Sequence, residues 1–375
     1  MTDTLRILGA PRRYMQGQGA IKNIGKIGAD FGHACFVVAD AVVTELIGEQ
    51  VTGYFHDAGI GVVFGPFKGE CTLSEIDHQT ALARESGSDV IVGMGGGKTI
   101  DTAKGVSLRL GLPIIIVPTI ASNDSPTSRL IVVYDEQHRL SEVLKLPSNP
   151  DVVLVDTAII AGAPPRFLIA GIGDALAKKF EAEQCALTGA RNFFGGLPTR
   201  TALTLCDSCY TTIREFGADA LDAIKQGRIN QSVENTVEAT VLLSGIGFES
   251  GGLALAHSLT RGLSAQPETH GALHGEMVAW GLLVQLIAEE RDTAFVGEIM
   301  AFYRQIGLPV MLADLGLKNP GEQAIIDIAE TTCREAPYIV NMVKPLSANR
   351  LAECILTLEN KLTNVSAEVS SCIDG

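Results

Sequence analysis

The sequence has 375 residues, a length that exceeds one ordinary domain and predicts two or three. It carries 29 Lys and Arg against 43 Asp and Glu, a net charge of −14, which argues against nucleic acid as a partner because such proteins need a basic face. Hydrophobic residues make up 46% and charged residues 19%, a balance that excludes a disordered chain and predicts a large buried core.

In chain order, the first part of the sequence alternates short β-branched runs with stretches of helical periodicity. The predicted strands are Cys35–Ala39, Val62–Phe64, Val90–Gly93, Pro113–Val117, Leu130–Tyr134 and Val152–Asp156. The predicted helices include Glu45–Ala58, Leu73–Ser86 and Thr99–Leu110. Apolar strands separated by helices are typical of a mostly parallel sheet covered on both faces, so residues 1–162 are predicted to form a doubly wound, nucleotide-binding α/β domain. The run at 130–134 is not followed by a helical stretch, which predicts a local hairpin.

The pattern changes at the turn Gly162-Ala163-Pro164-Pro165, after which β-branched runs become scarce. Long segments rich in Ala, Leu and Glu follow, at Asp174–Leu187, Thr199–Phe216, Val233–Gly247, Glu276–Arg291 and Asp292–Gly307. We therefore predict an all-helical domain over residues 163–375. Ligands often bind between domains, so a cleft between the two halves is the expected site.

A glycine-rich segment lies between the predicted strand at 90 and the helix that follows, where residues 90–104 read VIVGMGGGKTIDTAK. Glycines let backbone amides approach a phosphate, and a helix start adds free N–H groups with partial positive charge. The spacing matches neither the P-loop nor the common dinucleotide fingerprint, so it predicts a phosphate loop of another type, which Asp101 and Lys104 continue as GGGKxxDxAK. Asp40 ends the first predicted strand, where an acid either binds a ribose hydroxyl and favours NAD over NADP or is a plain surface residue.

Three of the seven histidines, His257, His270 and His274, fall within residues 257–274. His270 and His274 are four residues apart and would share one face of a helix. An imidazole in an apolar segment needs a partner, and both a metal and a hydrogen bond in the core satisfy it. Asp174, in an apolar stretch at a predicted helix start, offers a third ligand or, alternatively, a cap for free amides. Spacing leaves these interpretations open.

Taken together, several segments resemble the iron-containing alcohol dehydrogenase superfamily and, within it, the glycerol dehydrogenases. The segments that carry the resemblance are Gly95–Lys104, Pro118–Asp124, Ala170–Ala177, Gly247–Ala254 and His274–Glu276. They extend over most of the chain in the order that the family has. The resemblance implies a nucleotide-binding α/β domain followed by a helical metal-binding domain, in agreement with the periodicity.

The resemblance also implies roles for individual residues. The metal ligands, which are also the catalytic residues, match Asp174, His257 and His274, and Lys178 stands where iron-binding members have a fourth ligand, a histidine, so the chain is similar to the zinc-type branch. The cofactor contacts match Asp40, Gly95, Gly96, Gly97, Lys98, Thr99, Asp101, Thr119, Ile120, Ala121, Ser122, Ser128, Leu130 and Tyr134. The substrate contacts match Asp124, Phe248 and His270.

The activity implied by the resemblance is the NAD- and zinc-dependent oxidation of glycerol to dihydroxyacetone, in a homo-oligomer of up to eight subunits. Two departures from the glycerol dehydrogenase pattern bear on the substrate: Arg261-Gly262 replaces Asn-Gly, and Val340-Asn341-Met342 replaces His-Asn-Met. The alternatives are a relative that oxidises another 1,2-diol, an amino-alcohol or an anionic hydroxy compound, and, from another class, a nucleotide-binding protein without catalysis.

The eight cysteines are scattered, which predicts reduced thiols in the cytoplasm and not a disulfide framework. The beginning of the sequence lacks the apolar core of a signal peptide, and its apolar runs are shorter than the ~18 residues of a membrane span. We therefore expect a cytoplasmic protein without a membrane partner.

Overall fold

The computed structural model describes residues 4–135 and 139–371, with side chains up to residue 360. Cys372, one of the cysteines counted above, lies outside the described residues. The strands are β1 (Arg13–Gly17), β2 (Ala34–Ala39), β3 (Gly61–Pro66), β4 (Val90–Gly95), β5 (Ile114–Pro118), β6 (Leu130–Tyr134), β7 (Leu140–Lys145) and β8 (Val152–Asp156). The helices are α1 (Ile24–Ala29), α2 (Ala41–Asp57), α3 (Leu73–Glu85), α4 (Gly97–Leu110), α5 (Thr157–Gly162), α6 (Pro165–Thr188), α7 (Arg200–Lys225), α8 (Gln231–Glu238), α9 (Ser244–Gly251), α10 (Leu255–Ser264), α11 (His274–Ala288), α12 (Thr293–Ile306), α13 (Glu322–Glu335) and α14 (Ala348–Ser371).

Six of these strands form one sheet in the order β1-β8-β5-β4-β2-β3, and every pair in it is parallel. All residues of β4, β5 and β8 are buried, as apolar strands covered on both faces must be. The predicted fold class, a parallel α/β sheet followed by helices, is confirmed. The predicted hairpin is confirmed as well, because β6 pairs antiparallel with β7 in a separate sheet.

The sequence did not predict β1 and β7. The first is a polar run, RYMQG, and the second, LSEVLK, alternates half-buried and exposed residues. Neither carries the continuous apolar run that marks the buried strands of this sheet. β1 is nevertheless ordered by pairing along its length with β8, from Arg13 opposite Val152 to Gly17 opposite Asp156.

Two predictions about helix ends were wrong. α6 begins at Pro165, a residue that suits the first turn of a helix, so Asp174 lies in the helix interior and not at its start. α11 begins at His274, and His270 ends a separate turn of 3₁₀-helix, Pro267–Thr269. His270 and His274 therefore do not share a helix face.

The described chain packs as two compact units. The α/β unit comprises Gly9–Leu168 and Asp219–Ile246, and the helical unit comprises Ile169–Ala218, the chain from Gly247 onward and the N-terminal residues up to Leu8. The domain boundary predicted between residues 162 and 163 stays a prediction. Among the described residues, a membrane-span criterion of length and hydropathy is met by no single helix and by one pair, Gln231–Gly251 with Leu255–Ser264, which is bent by 97°.

Candidate active site

Three side chains of the helical unit bring metal-binding atoms together. Asp174 lies on α6, His257 on α10 and His274 at the first position of α11, and one ligand atom from each lies within 4.8 Å of the others. His257 Nε2 is 3.1 Å from Asp174 Oδ1, and His274 Nε2 is 3.9 Å from the same oxygen. The sequence could list these residues as candidates, but only the packing of three helices brings them together.

Two glycines allow α6 and α11 to approach each other at this point. A Cβ atom on Gly173 would lie 2.6 Å from the backbone oxygen of Gly275, and a Cβ atom on Gly275 would collide with the backbone oxygen of Ala170. Each glycine directly adjoins a candidate ligand, Asp174 or His274. Larger residues here would separate the helices and with them the two side chains.

Glu181, which the sequence analysis did not single out, is a fourth component of this cluster. It lies seven residues after Asp174 on α6, and its side chain is fully buried. Its Oε1 accepts the backbone N–H groups of Ala254 and His257 at 2.8 and 3.0 Å, and its Oε2 lies 2.5 Å from His257 Nδ1. A carboxylate on the far ring nitrogen fixes the orientation and tautomer of a metal-binding histidine. The seven-residue spacing, which places Glu181 on the same helix face as Asp174, is the signal that could have identified it.

The electrostatics of the cluster follow from burial and from its own charges. Burial alone would raise the pKa of Asp174, but the charge of Lys178 and the hydrogen bond with His257 outweigh it and hold this pKa far below its usual range. Burial would likewise raise the pKa of Glu181, and His257 lowers it. For His257 itself, burial lowers the pKa, but the charge of Glu181 prevails and raises it. Both carboxylates are therefore ionised at neutral pH.

His274 differs from His257 because it lacks an equally close carboxylate. Desolvation lowers its pKa, while the charge of Asp174 acts in the opposite direction. Since 46% of its side chain is exposed, the desolvation of the ring is only partial. At neutral pH the ring is uncharged and has a nitrogen lone pair to offer a ligand.

Lys178, one turn after Asp174 on α6, is completely buried beside the same atoms. Its Nζ donates to Asp174 Oδ1 at 2.7 Å and lies 2.9 Å from His257 Nε2. The ammonium also lies 5.5 Å from the centre of the Phe248 ring, which places this predicted substrate contact beside the cluster. Phe248 is itself 5% exposed and packs edge-on against Phe193.

The other two predicted substrate contacts lie elsewhere in the chain. His270 is exposed at the end of its 3₁₀ turn in the helical unit. Asp124 is half-buried in the α/β unit, at the residue before the turn Ser125–Thr127. Their substrate roles stay predictions.

Every predicted cofactor residue belongs to the α/β unit, and many follow the carboxyl ends of its strands. Asp40 follows β2, the glycine loop follows β4 and Thr119 follows β5, and these three strands are neighbours in the sheet. The chain leaves β2 toward β3 at the sheet edge and then returns to β4 on the other side of β2. The strand order thus reverses between β2 and β4, the position at which open α/β sheets bind ligands.

The glycine loop forms a cradle that side chains would fill. A Cβ atom would lie 2.7 Å from Thr99 Oγ1 if placed on Gly95, 2.9 Å from Ile120 Cδ1 on Gly96, and 2.8 Å from Asn123 Nδ2 on Gly97. The backbone N–H of Thr119 donates to the Gly95 carbonyl at 3.1 Å, which joins the two loops. The first turn of α4 also has backbone N–H groups without a partner inside the helix, and such groups suit an anion.

Asp101 and Lys104 form a buried centre that connects α4 to the loop after β5. Lys104 Nζ donates to Asp101 Oδ1 at 3.1 Å and to the carbonyls of Ser125 and Leu130 at 2.7 and 2.9 Å. Asp101 also accepts the Ser125 hydroxyl at 2.7 Å and the backbone N–H of Val132 at 3.0 Å. The structure therefore gives Asp101 a structural role, and its assignment as a cofactor contact stays a prediction.

Two further predicted cofactor residues have partners that the sequence did not indicate. Lys98 is exposed at the first turn of α4, where its Nζ lies 2.7 Å from Glu70 Oε2 and 5.5 Å from the centre of the Tyr134 ring. Asp40 caps α2, since its side chain accepts the backbone N–H of Val43 at 2.8 Å. A helix cap explains an acid at this position without a ligand, so the cap and the cofactor contact are roles that experiment must separate.

Comparison with known proteins identifies the family. Residues 11–157 match the family described as iron-containing alcohol dehydrogenase. A glycerol dehydrogenase of Escherichia coli O6:H1 is 42% identical over 337 residues, which cover 90% of this chain and 92% of that protein. The chain belongs to the iron-containing alcohol dehydrogenase family. It is therefore an enzyme of the alcohol and polyol dehydrogenase class, and the predicted resemblance is confirmed.

Similar relatives carry names for more than one activity at comparable sequence identity. A glycolaldehyde reductase of Halobacterium salinarum is 39% identical, with 94% of this chain and 97% of that protein covered. The crystal structure of the glycerol dehydrogenase from Schizosaccharomyces pombe superimposes with a TM-score of 0.93 at 31% identity, and covers 98% of this chain and 93% of that one. The fold of this alcohol dehydrogenase is thus shared over nearly its whole length.

Proposed function

We propose that this enzyme oxidises glycerol to dihydroxyacetone with NAD as hydride acceptor and a zinc ion held by Asp174, His257 and His274. The observation that carries the proposal is the convergence of these three side chains in a chain 42% identical to a glycerol dehydrogenase. When bound, zinc acts as a Lewis acid that lowers the pKa of a substrate hydroxyl, and NAD accepts the hydride.

The residues present suit a divalent cation. Asp174 Oδ2 is buried without a hydrogen-bond partner among the described residues, and such an atom needs a donor or a cation. One carboxylate and two imidazoles form a donor set of the kind that catalytic zinc sites use. Glu181 holds the ring of His257 from its far side and leaves Nε2 directed at Asp174.

The residues of the α/β unit suit a dinucleotide. The three loop glycines leave room for backbone amides to meet a pyrophosphate, and Asp40 follows the strand on the other side of the switch point. A carboxylate at that position accepts hydrogen bonds from a ribose diol and repels a 2′-phosphate. We propose NAD over NADP on this ground. Asp124, Phe248 and His270 complete the proposal as substrate contacts.

The test is the appearance of NADH absorbance with glycerol and NAD, using zinc-reconstituted protein. We expect a rate that a chelator abolishes and that zinc restores. His274→Ala should lose both bound zinc and activity while it keeps its circular dichroism spectrum. His270→Ala removes an exposed histidine four residues away and should retain zinc. Full activity of His274→Ala after chelation would refute the metal assignment.

A second candidate is the oxidation of an anionic or larger hydroxy compound, and Arg261 is the residue that favours it. Arg261 is half-buried one turn after His257 on α10, and its charge acts on the Tyr338 hydroxyl. Val340, the other departure from the glycerol dehydrogenase pattern, is 78% exposed. Arg261→Asn should raise kcat/KM for glycerol if Arg261 selects the substrate. If the ratio of kcat/KM for glycerol to that for an anionic diol does not change, Arg261 does not select the substrate.

We also propose that the enzyme acts in the cytoplasm as a homo-oligomer. The support is its cysteines, which form no disulfide in the described part of the chain, and the assemblies that the family resemblance implies. Light scattering of the purified protein measures the number of subunits.

A further inference from the structure

The side chain of Lys178 is a buried cation that lies among the three candidate ligands. Lys178 has no exposed side-chain surface, and its Nζ contacts Asp174 Oδ1 at 2.7 Å and His257 Nε2 at 2.9 Å. Asp174 and His257 are two of the three residues that would hold the proposed zinc ion. A buried ammonium group is costly to desolvate, so its position beside these atoms requires the compensation they provide.

His257 Nε2 cannot bind the ammonium and a zinc ion at the same time. Glu181 favours a proton on His257 Nδ1, and the ammonium of Lys178, which can only donate, requires the lone pair of Nε2 at 2.9 Å. That lone pair either accepts a hydrogen from Lys178 or is donated to a metal. Asp174 Oδ1 is the ammonium's closest acceptor, so the ammonium also offsets the negative charge that Asp174 offers a metal.

The positive charge of Lys178 also opposes the binding of zinc. The two carboxylates of Asp174 and Glu181 attract a divalent cation, and the ammonium of Lys178 offsets one of them. Repulsion between two cations is strong in a buried environment because water does not screen it. By contrast, Lys179, the next residue on α6, is directed at Asp207 and Glu183 and does not take part.

We propose that Lys178 is a resident cation of the metal site, which competes with zinc for Asp174 and His257 and thereby weakens zinc binding. This inference rests on the proposed function, since it takes the three ligands as given. The position that carries a fourth ligand in iron-binding relatives thus acts against the metal in this chain. Lys178 must give up its contact with His257 Nε2 when zinc binds, so the metal is exchangeable and sensitive to chelators.

The test is the dissociation constant of zinc, measured by competition with a chromophoric chelator, for the full-length protein and three variants. Lys178→Met keeps the length of the side chain without its charge, and Lys178→Gln keeps a hydrogen-bond donor toward Asp174. Both should bind zinc at least about tenfold more tightly than the unmodified protein. Lys179→Met removes an equal charge from a partly exposed position on the same helix and should change the constant by less than about twofold.

The outcomes separate the two proposals. Equal or weaker zinc binding by the Lys178 variants, with one zinc ion bound per unmodified chain, overturns the competition and leaves the metal site intact. Weaker binding would indicate that the lysine helps to hold the ion. If the unmodified protein binds zinc no better than His274→Ala does, both the competition and the metal site are overturned. Circular dichroism checks the folding of each variant, and the glutamine variant serves if the methionine variant does not fold.

Discussion

At the scale of single residues, Glu181 shows how an acid outside the ligand set controls a ligand. Its Oε2 is hydrogen-bonded to His257 Nδ1, while its Oε1 accepts hydrogen bonds from two backbone N–H groups at the start of α10. The carboxylate thus orients the ring and fixes the beginning of the helix that carries it. A single buried side chain determines both the tautomer and the position of His257.

Glu181→Gln should therefore weaken zinc binding by about ten- to a hundredfold, as loss of such an outer carboxylate does in other metal sites. The amide oxygen can still accept the two backbone hydrogens, but the amide nitrogen then faces Nδ1 and favours the tautomer with the proton on Nε2. Zinc affinity from chelator competition measures the effect. Glu183→Gln, on the surface of the same helix, is the control. Equal affinity for both variants would contradict the role of Glu181.

Asp40 offers a second test at this scale, because its two roles respond differently to one substitution. Asn caps a helix about as well as Asp, so Asp40→Asn should change the free energy of unfolding by less than about 0.5 kcal/mol. Loss of the charge removes the repulsion of a 2′-phosphate, so the ratio of kcat/KM for NADP to that for NAD should rise at least about tenfold. Steady-state kinetics with both cofactors provide the measurement. An unchanged ratio would leave Asp40 as a helix cap alone.

At the scale of elements, the buried pair of Asp101 and Lys104 joins α4 to the loop and strand that follow β5. Lys104 donates to two backbone carbonyls, those of Ser125 and Leu130, which lie more than 20 residues beyond it in the chain. The same loop carries Asp124 and the predicted cofactor residues between 119 and 130. Its conformation therefore depends on one charged side chain from a helix.

Lys104→Met should lower the free energy of unfolding by about 3–5 kcal/mol, since it removes the cation that pairs with a buried carboxylate and a donor from each of two carbonyls. Denaturant unfolding gives this quantity directly. Lys145→Met, at an exposed position of β7, removes the same charge and should cost less than about 0.5 kcal/mol. Similar losses for the two variants would show that the buried pair contributes no more than a surface lysine.

At the scale of the whole molecule, buried thiols make the fold sensitive to alkaline pH. Burial raises the pKa of Cys35, Cys71, Cys185 and Cys206 from 9.0 to about 12. Below pH 9 both the folded and the unfolded chain keep these thiols protonated. Above it the unfolded chain loses protons that the folded chain retains, so the stabilisation declines as pH rises toward 12.

Each such thiol should lower the free energy of unfolding by about 1.4 kcal/mol per pH unit within this window. Because other groups also titrate there, the comparison is between the unmodified protein and Cys71→Ala. Above pH 9 the free energy of unfolding of the variant should fall less steeply with pH than that of the unmodified protein. The two slopes should differ by the contribution of one thiol proton, as measured from denaturant midpoints. Parallel curves for the two proteins would show that Cys71 keeps an ordinary pKa.

The sequence by itself determined those features that depend on neighbours along the chain. The buried strands β4, β5 and β8 were predicted because all their residues except Asp156 are apolar or small, and the phosphate loop was predicted because consecutive glycines precede a helix. Strands with polar residues, such as β1, were not predicted, because pairing with another strand and not an apolar run makes them form. Helix ends such as that of α11 were misplaced, because an i,i+4 spacing is as compatible with a turn as with a helix.

Only the tertiary structure decided how the separate candidates act together. Asp174 and His274 are a hundred positions apart, and they meet because two glycines let α6 and α11 approach closely. The same packing places Glu181 against His257 and places Lys178 against its two acceptors. No local sequence pattern predicts these contacts. Burial is the physical reason: it makes each charge depend on the specific atoms beside it, and those atoms come from distant parts of the chain.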